Sequence, residues 1–579
     1  MNRFESNYTF IIRANGPISV KGLKSVMGYV DNFGSEQLEG ERFIMATDCG
    51  NCQHNMQSYR KTYDEFKLEA PEYFNFGFDV IDRFAANPDL QMMLWAGDDE
   101  PERWMSYVYF RDRTNQVVNA LNGLGLGKND RIMIVMSRTP EWWESMLGMI
   151  KAGIIAVPGT TQLTQKDIKY RLETSNVKCV ISDADNAPKF DEARKSFPQL
   201  SKLIIVGGTR AGWHNYESLV STADKVIPSG EKVKTHKDDP MLLYFTSGTT
   251  GYPKMVLHTH SYPIGHTVTG RFWLDLRPGD LHWNLSDTGW AKAAWSSLFG
   301  PLNTGATVFV HNTKGKYSGR LTLELLSKYR VTSFCAPPTA YRLLIVEDLK
   351  SYDLSSLRSC VGAGEPLNPE VIDTWREQTG ITIRDGYGQT ETVLIVGNFP
   401  VDDAPVRFGS MGRPAPGFNV DVIDDAGKPL PSNQEGDIAI RVSPNRPVGL
   451  FREYLGNPEA TAATFREGWY LTGDRAYRDE DGYLWFVGRA DDVIISSGYR
   501  IGPFEVESAL IEHPAVLESA VVAKPDPVRG EIVKAFVVLR PGFEPSDDLI
   551  TEIQNFVKSN TAPYKYPREI EFRKELPKT

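Results

Sequence analysis

The chain has 579 residues, including 64 Lys or Arg and 74 Asp or Glu, so its formal net charge is -10. Hydrophobic residues make up 41% and charged residues 24%, the balance of a globular protein, and this length predicts at least two domains. An acidic chain has no overall field that attracts nucleic acid or an anionic membrane. We therefore predict no nucleic-acid partner, and any anionic ligand must be bound by local loops, helix ends and a few cations.

The apolar stretches are too short to predict a membrane span. The longest, near 146–157, is interrupted by Lys151 and by glycines and falls short of the roughly 18 apolar residues that a spanning helix needs. Residues 1–24 mix charged and polar side chains among apolar ones, unlike the apolar core of a signal peptide. Five mostly scattered cysteines are typical of reduced thiols. We therefore predict a cytoplasmic protein, and the sequence leaves a homo-oligomer open.

From about residue 130, short apolar runs alternate with helical patterns, which indicates an α/β fold. The predicted strands are 131–137, 154–157, 177–182, 202–207, 241–245, 306–311, 331–337 and 357–362. A helix is predicted between the first two, at 140–153. Apolar strands separated by helices indicate parallel sheets covered on both faces, and ligands of such sheets bind beyond the carboxyl ends of the strands.

The pattern changes after about Phe408. Alternating runs, FNVDVID and GDIAIRV, predict a small antiparallel, β-barrel-like unit. From about Gly488 onward, short strand and helix signals predict a compact α+β domain. Its helix at 547–558 carries an apolar stripe at helical spacing, which we expect to pack in a core.

One loop is the strongest single motif, since it directly follows the strand at 241–245. Its residues are Thr246, Ser247, Gly248, Thr249, Thr250, Gly251, Tyr252, Pro253 and Lys254. Hydroxyls and flexible glycines can turn several donors towards one polyphosphate, and the lysine adds a cation. The spacing is not the Walker pattern, which disfavours an ordinary kinase or P-loop ATPase. Taken alone, such a loop is about as often a polar surface turn.

Three further segments strengthen the phosphate-binding interpretation. They are GAGEP at 362–366, DGYGQTE at 385–391, and YLTGD at 470–474 followed by GRADD at 488–492. Together with the loop, they resemble the core motifs of the acyl-adenylate-forming superfamily, in that family's order and spacing, from about residue 75 to the end. SDTGWAK at 286–292 and SSGYRIGPFEVE at 496–507 are most similar to medium-chain acyl-CoA synthetases.

The resemblance implies an AMP-forming acid–thiol ligase that depends on ATP, Mg²⁺ and CoA. Such an enzyme activates a carboxylic acid, here a medium-chain or short branched one, as acyl-AMP. It then transfers the acyl group to the thiol of CoA and releases AMP and pyrophosphate. The implied architecture is a large N-terminal domain, 1–490, with parallel α/β subdomains and the β-barrel-like subdomain, and a small mobile α+β domain, 491–579.

The resemblance also assigns ATP-binding residues. Besides the loop at 246–254, which would hold the β- and γ-phosphates, they are Gly364, Glu365, Pro366, Asp385, Gly386, Tyr387, Gly388, Gln389, Thr390, Asp474 and Arg489. The slot at 364–366, with Tyr387 across the cleft, would hold adenine. Asp474 would accept hydrogen bonds from both ribose hydroxyls, and Arg489 would help to orient the nucleotide.

The predicted catalytic residues are Thr390, Glu391 and Lys254. By resemblance, Thr390 contacts the α-phosphate and the acyl carboxylate, and Glu391 holds Mg²⁺, which commonly binds one carboxylate plus ligand phosphates. Trp290 would line the acyl pocket, although a lone tryptophan is more often core.

The predicted CoA-binding residues lie in the last domain. They are Ser497, Gly498, Tyr499, Arg500 and Arg529, and the stretch at 564–568 supplies further candidates. Gly498 leaves room for a narrow pantetheine chain. Asp491 aligns with the hinge about which the family's last domain rotates.

Two features depart from the pattern. The family continues past Thr579 into a segment whose lysine assists adenylation, so either the chain is shortened or the protein lacks that lysine, and we expect slow adenylation in the 579-residue chain. Cys49, Cys52 and His54 have a spacing that occurs in zinc and redox sites, but no second pair accompanies them. Two alternatives also stay open, a ligase that loads a carrier protein and a non-catalytic binder of nucleotide or acyl-adenylate.

Overall fold

The computed structural model describes residues 54–98, 100–197, 199–246, 253–313, 315, 317–490, 492–496, 499–526, 529–561 and 564–577. Two largely parallel sheets form the bulk of this part of the chain. In spatial order, the first sheet contains Arg413–Pro414, Val396–Gly397, Ile383–Tyr387, Ser359–Ala363, Ser333–Ala336, Leu281–Asn284, Thr307–Asn312, Gln91–Gly97 and Arg103–Ser106. The second contains Glu453–Tyr454, Lys254–Thr259, Pro240–Thr246, Ile155–Pro158, Arg131–Val135, Cys179–Asp183, Lys202–Val206 and His214–Asn215.

The inner strands of both sheets pair in parallel, and the antiparallel strands lie towards the edges. Each predicted apolar run overlaps an observed strand, so the α/β prediction is confirmed. The predicted helix is Pro140–Lys151, and it ends just before Gly153, whose φ of 66° is in the left-handed region that favours glycine. Trp142 and Trp143 are fully buried on this helix, because it packs within the core rather than at the surface.

Helices cover the sheets and connect their strands. The α-helices are Tyr59–Glu65, Asp82–Phe84, Tyr107–Gly123, Pro140–Lys151, Gln165–Ser175, Ala187–Ala193, Tyr216–Ser221, Tyr262–Val268, Ala291–Ala293, Phe299–Asn303, Gly319–Lys328, Pro338–Leu344, Pro369–Thr379, Pro458–Ala463, Pro503–Ile511 and Asp547–Asn560. The π-helical turns are Gly77–Ile81, Thr269–Trp273 and Ala294–Leu298, and the 3-10 turns are Arg194–Ser196, Ser229–Glu231 and Leu349–Ser351. None of the described helices is long and apolar enough to cross a membrane.

The antiparallel unit predicted after Phe408 is present as a small sheet. Its strands are Val420–Ile423, Glu435–Arg441, Trp469–Arg478, Phe465–Arg466 and Leu484–Arg489, all paired antiparallel. The register places Asp474 opposite Arg489. Two residues separated by fifteen positions therefore become direct neighbours across one hairpin.

The last described part has the predicted α+β character. Its sheet contains Tyr499–Ile501, Ile494–Ser496, Gly530–Leu539, Val516–Asp526 and Glu569–Phe572. The helix Asp547–Asn560 buries Leu549, Ile553 and Val557 against this sheet's core, which confirms the packing stripe. The predicted domain boundary between 490 and 491 stays a prediction, because Asp491 lies outside the described residues.

Candidate functional site

Two of the motifs, GAGEP and GYGQTE, lie at the ends of two neighbouring parallel strands, at one edge of the first sheet. Ser359–Ala363 leads into the slot that begins at Gly364, and Ile383–Tyr387 leads into the loop with Thr390 and Glu391. Ala363 pairs with Gly386 in the register of these strands. The two motifs therefore start side by side at the carboxyl ends of the strands, where ligands of α/β sheets bind.

Close packing explains the glycines of the GYGQTE loop. A Cβ at Gly388 would lie 2.3 Å from the carbonyl oxygen of Val393 and 2.4 Å from the ring of Trp295. A Cβ at Gly386 would lie 2.5 Å from the ring of Trp273. Any larger residue would displace the loop, so these glycines set the position of the residues that follow them.

Glu391 is buried, with 8% of its surface exposed, and its partners come from the second sheet. Its Oε1 accepts a hydrogen bond of 2.7 Å from the hydroxyl of Tyr454. The Nζ of Lys254 lies 4.9 Å from the centre of the Tyr454 ring. Burial raises the pKa of Glu391, and the Tyr454 hydroxyl and the charge of Lys254 oppose that rise. Lys254 and Glu391 therefore both contact Tyr454, the lysine over its ring and the carboxylate at its hydroxyl.

Asp474 is the second buried carboxylate of this cluster, also 8% exposed. Its Oδ2 accepts hydrogen bonds from the hydroxyl of Tyr387 at 2.5 Å and from Nε2 of Gln389 at 2.9 Å. Tyr470 donates in turn to Oε1 of Gln389 at 3.1 Å. The small sheet is thereby tied to the GYGQTE loop, and the carboxylate is held in one orientation, as recognition of a ribose requires.

The slot residues have separate environments. Gly364 adopts a φ of 101°, which a glycine tolerates best. Glu365 points to Arg342, with an ion pair of 3.1 Å, and to the hydroxyl of Thr339. Pro366 lines a cavity of about 480 Å³ that Arg489 also lines. A cavity therefore adjoins the predicted adenine slot on the side of Arg489.

Asp385, at the start of the loop motif, is buried and differs from the other acids of the site in its partners. Burial raises its pKa to about 7, although the backbone N–H of Gly386 donates to it at 2.8 Å and Lys292 lies nearby. Trp273 donates to its carbonyl oxygen at 3.2 Å. Its contacts are with the protein's own backbone and core, so it supports the loop.

Trp290 is half-buried and immediately precedes the short helix Ala291–Ala293. Two residues further on, the ammonium group of Lys292 donates to the carbonyl oxygen of Ala363, at the end of the strand that leads into the slot. Burial lowers the pKa of Lys292. The segment with Trp290 is therefore tied to the predicted nucleotide slot, as an acyl-pocket residue would have to be.

Several predicted residues are not brought into this cluster by the described structure. Ser247, Gly248, Thr249, Thr250, Gly251, Tyr252, Asp491, Ser497, Gly498, Cys49 and Cys52 lie outside the described residues. Thr246 and Lys254 pair with each other across the hairpin that flanks the loop, and Tyr170 donates to the carbonyl of Pro253 at 3.0 Å. His54 contacts Asp275 at 2.8 Å through Nδ1, which favours a structural role for that histidine.

The predicted CoA residues lie on the last sheet. Arg500 is in the strand Tyr499–Ile501, and the Tyr499 ring stacks on Tyr564 with centroids 4.3 Å apart. The backbone N–H of Arg529 donates to Asp526 at 2.8 Å. Tyr499 is 52% exposed, so an aromatic surface is available on this sheet.

Three residues of the site were missed by sequence reasoning. Tyr454 carries no local signal, because its role depends on a two-residue strand pairing with Val256. His258 is also without a motif, although its Nε2 lies 2.7 Å from the carbonyl oxygen of Thr390. Lys292 could have been found, since it is the one charged side chain in the sequence between Trp290 and Phe299.

The fold and the clustered motifs are those of an adenylate-forming enzyme. Residues 81–455 match the family model described as AMP-binding enzyme, and residues 505–579 match that of the AMP-binding enzyme C-terminal domain. The chain therefore belongs to the AMP-binding enzyme family. The predicted resemblance and fold class are confirmed.

Individual proteins that are similar to this chain support the assignment to this family. Mouse (Mus musculus) acyl-coenzyme A synthetase ACSM3, mitochondrial, is 50% identical over 540 residues, 91% of this chain and 91% of the mouse protein. Rat (Rattus norvegicus) acyl-coenzyme A synthetase ACSM4, mitochondrial, is 46% identical over 88% of this chain and 89% of its own. The crystal structure of the anthranilate CoA ligase AuaEII in complex with anthranoyl-AMP matches with a TM-score of 0.81 and 32% identity, over 88% of this chain and 95% of that one.

The names of these relatives contradict the predicted cytoplasmic location. The mouse and rat relatives are both named as mitochondrial proteins. The prediction is wrong because it rested on reduced thiols and on the lack of a signal-peptide pattern. Neither property distinguishes the cytoplasm from another compartment in which thiols stay reduced.

Proposed function

We propose that the protein is an ATP-dependent acyl-CoA synthetase that activates a medium-chain or short branched carboxylic acid as acyl-AMP and passes the acyl group to CoA. The observation that carries the proposal is the cluster in which Lys254, Tyr454 and Glu391 lie beside Asp474 and its partner Tyr387. This cluster contains one cation and two buried carboxylates, which supports a role for Glu391 with a metal ion and for Asp474 with ribose. The names of the relatives support the same activity.

The residues fit Mg²⁺ bound together with a nucleotide. No group of three or more His, Cys, Asp or Glu side chains within the described ranges is arranged to hold a metal ion. A buried single carboxylate such as Glu391, completed by phosphate oxygens, suits Mg²⁺, which keeps few protein ligands. Mg²⁺ at Glu391 would supply positive charge that neutralises the polyphosphate.

The chain's own residues have distinct tasks in adenylation. Lys254 would bind the β- and γ-phosphates from the hairpin that flanks the loop, and Thr390 would orient the acyl carboxylate for in-line attack on the α-phosphate. Asp474 would hold the ribose, and Trp290 would line the acyl pocket. Holding an anion against a polyanion in one geometry supplies much of the catalysis, through charge neutralisation and alignment.

Thioester formation would use the last domain, which we propose begins at 491 with a hinge at Asp491. Ser497, Gly498, Tyr499, Arg500 and Arg529 would contact CoA. The exposed ring of Tyr499 suits stacking on a nucleotide base, and the charges of Arg500 and Arg529 suit its phosphates.

The test is pyrophosphate release measured with ATP, Mg²⁺ and straight, branched and aromatic acids of two to twelve carbons, with and without CoA. We expect release that requires both ATP and an acid, with acyl-CoA as the product. A protein that binds ATP but releases no pyrophosphate with any acid would be a binder and would contradict the proposal. Acyl transfer to a carrier protein's phosphopantetheine but not to CoA would support the carrier-loading alternative.

We also propose that the protein is mitochondrial. Residues 1–30 contain four basic residues, Arg3, Arg13, Lys21 and Lys24, against one acidic residue, Glu5. Mitochondrial transit peptides are amphipathic, Arg-rich and poor in acidic residues. The full chain with a C-terminal fluorescent protein should colocalise with a mitochondrial marker, and the same chain with the four basic residues changed to Gln should not. A diffuse signal from the unchanged chain would contradict this location.

A further inference from the structure

His258 joins the strand after the phosphate loop to the loop that carries the predicted catalytic residues. It lies in Lys254–Thr259, and its Nε2 is 2.7 Å from the carbonyl oxygen of Thr390, 132 positions further along the chain. The imidazole is buried and stacks on the ring of Tyr262 with centroids 3.7 Å apart. The hydrogen bond to Thr390 and the stacking on Tyr262 together hold the imidazole ring in one orientation.

The partner of His258 fixes its tautomer. A carbonyl oxygen only accepts, so Nε2 must carry the hydrogen and donate it. Burial lowers the pKa of His258 to about 3, so the ring is neutral at neutral pH and Nδ1 is the unprotonated nitrogen. The contact is therefore a neutral N–H···O=C hydrogen bond that does not change across the working pH range.

The strand that holds His258 is linked to both predicted catalytic residues of the loop, directly to Thr390 and through Tyr454 to Glu391. Lys254 is its first residue, and Val256 pairs with Tyr454, which donates to the Glu391 carboxylate. His258 donates to the backbone of Thr390, next to Glu391. This strand therefore holds the side chain of Glu391 through Tyr454, and it holds the backbone of Thr390 through His258.

We propose that His258 is a positioning residue that holds the Thr390 carbonyl, and thereby sets where Thr390 and Glu391 meet the nucleotide and the acid. This inference rests on the proposed adenylation activity. The imidazole does not need to touch substrate for this role. A shift of about 1 Å in such a loop costs roughly 100-fold in rate, which is the effect expected when the hydrogen bond is lost.

The competing explanation is that His258 only fills space in the core. The neighbouring His260, which is also buried, allows the two explanations to be compared. His260 is also fully buried, but within the described structure neither of its ring nitrogens has a hydrogen-bond partner. If burial of an imidazole were all that mattered, replacement of His258 and of His260 should affect catalysis alike. A positioning role predicts a difference between them.

The experiment compares two amides at the same position in the 579-residue chain. The amide nitrogen of Gln reaches the place of Nε2, whereas that of Asn stops near Nδ1. We expect His258→Gln to keep kcat for acid-dependent ATP–pyrophosphate exchange within about tenfold of the unchanged protein, and His258→Asn to lose roughly 100-fold. His258→Asn should also need about ten times more Mg²⁺ for half its maximal rate, because Glu391 is displaced with Thr390.

His260→Gln is the matched control and should change neither kcat nor the Mg²⁺ requirement by more than about threefold, a difference of under 1 kcal/mol. Melting temperatures of all variants separate loss of fold from loss of position. Equal kcat values for His258→Gln and His258→Asn would overturn the inference, whether both are active or both inactive. Failure of the proposed function itself looks different, because the unchanged protein would then show no acid-dependent exchange.

Discussion

Glu391→Gln is expected to lower the rate of acyl-adenylate formation about 10³-fold, the largest effect of any single change in the site. The amide keeps the size of the side chain and can still accept from Tyr454, so the fold should persist. What is lost is the negative charge that would hold Mg²⁺ against the phosphates. Acid-dependent ATP–pyrophosphate exchange at saturating ATP, measured over a range of Mg²⁺ concentrations, checks this prediction.

Glu453→Gln is the control for this experiment. Glu453 precedes Tyr454 on the same two-residue strand, but its side chain is partly exposed and pairs with Arg452 at 3.5 Å. An exposed ion pair of this kind contributes little, so the exchange rate should stay near that of the unchanged protein. If Glu391→Gln kept more than a tenth of the rate, Glu391 would not be the metal ligand.

Asp474→Asn should raise the KM for ATP about 100-fold, with a smaller effect on kcat. The change replaces a carboxylate that we propose accepts from two ribose hydroxyls by an amide, at a cost of about 1.5 kcal/mol for each charge-assisted hydrogen bond. The total of about 3 kcal/mol corresponds to a loss of about 100-fold in the affinity for ATP. Steady-state kinetics in ATP and calorimetric titration with AMP give the two measurements.

Asp437→Asn controls for damage to the small sheet. Asp437 lies on the strand beside that of Asp474 and pairs with Arg466 at 2.5 Å and with Arg475 at 3.2 Å. Its replacement should reduce the melting temperature by a few degrees, about 1 kcal/mol, without altering ATP affinity. An unchanged KM in Asp474→Asn, alongside normal folding, would remove Asp474 from the nucleotide site.

The sequence predicted the parallel strands well because their signal is local. The run at 202–207 became Lys202–Val206, and the helix at 140–153 became Pro140–Lys151, since continuous apolar residues and a helix-starting proline decide such elements. Asp474 and Arg489, which the resemblance assigned to one nucleotide, are neighbours in the structure because a single hairpin joins them.

Contacts between the sheets could not be predicted in this way. The bond from Tyr454 to Glu391 and that from His258 to Thr390 join residues 63 and 132 positions apart. Each depends on how two layers of structure pack, and no periodicity in either segment reports that packing. The roles assigned to Thr390, Glu391 and the CoA residues therefore stay predictions that the experiments above test.

The partners of Glu391 and Asp474 belong to different sheets. Glu391 follows a strand of the first parallel sheet and is held by Tyr454 of the second, while Asp474 of the small sheet is held by Tyr387 of the first. Three separately hydrogen-bonded layers thus contribute residues to the proposed catalytic site. Cutting the gene between these layers should yield fragments that are each inert, and nucleotide should protect all three layers together against proteolysis.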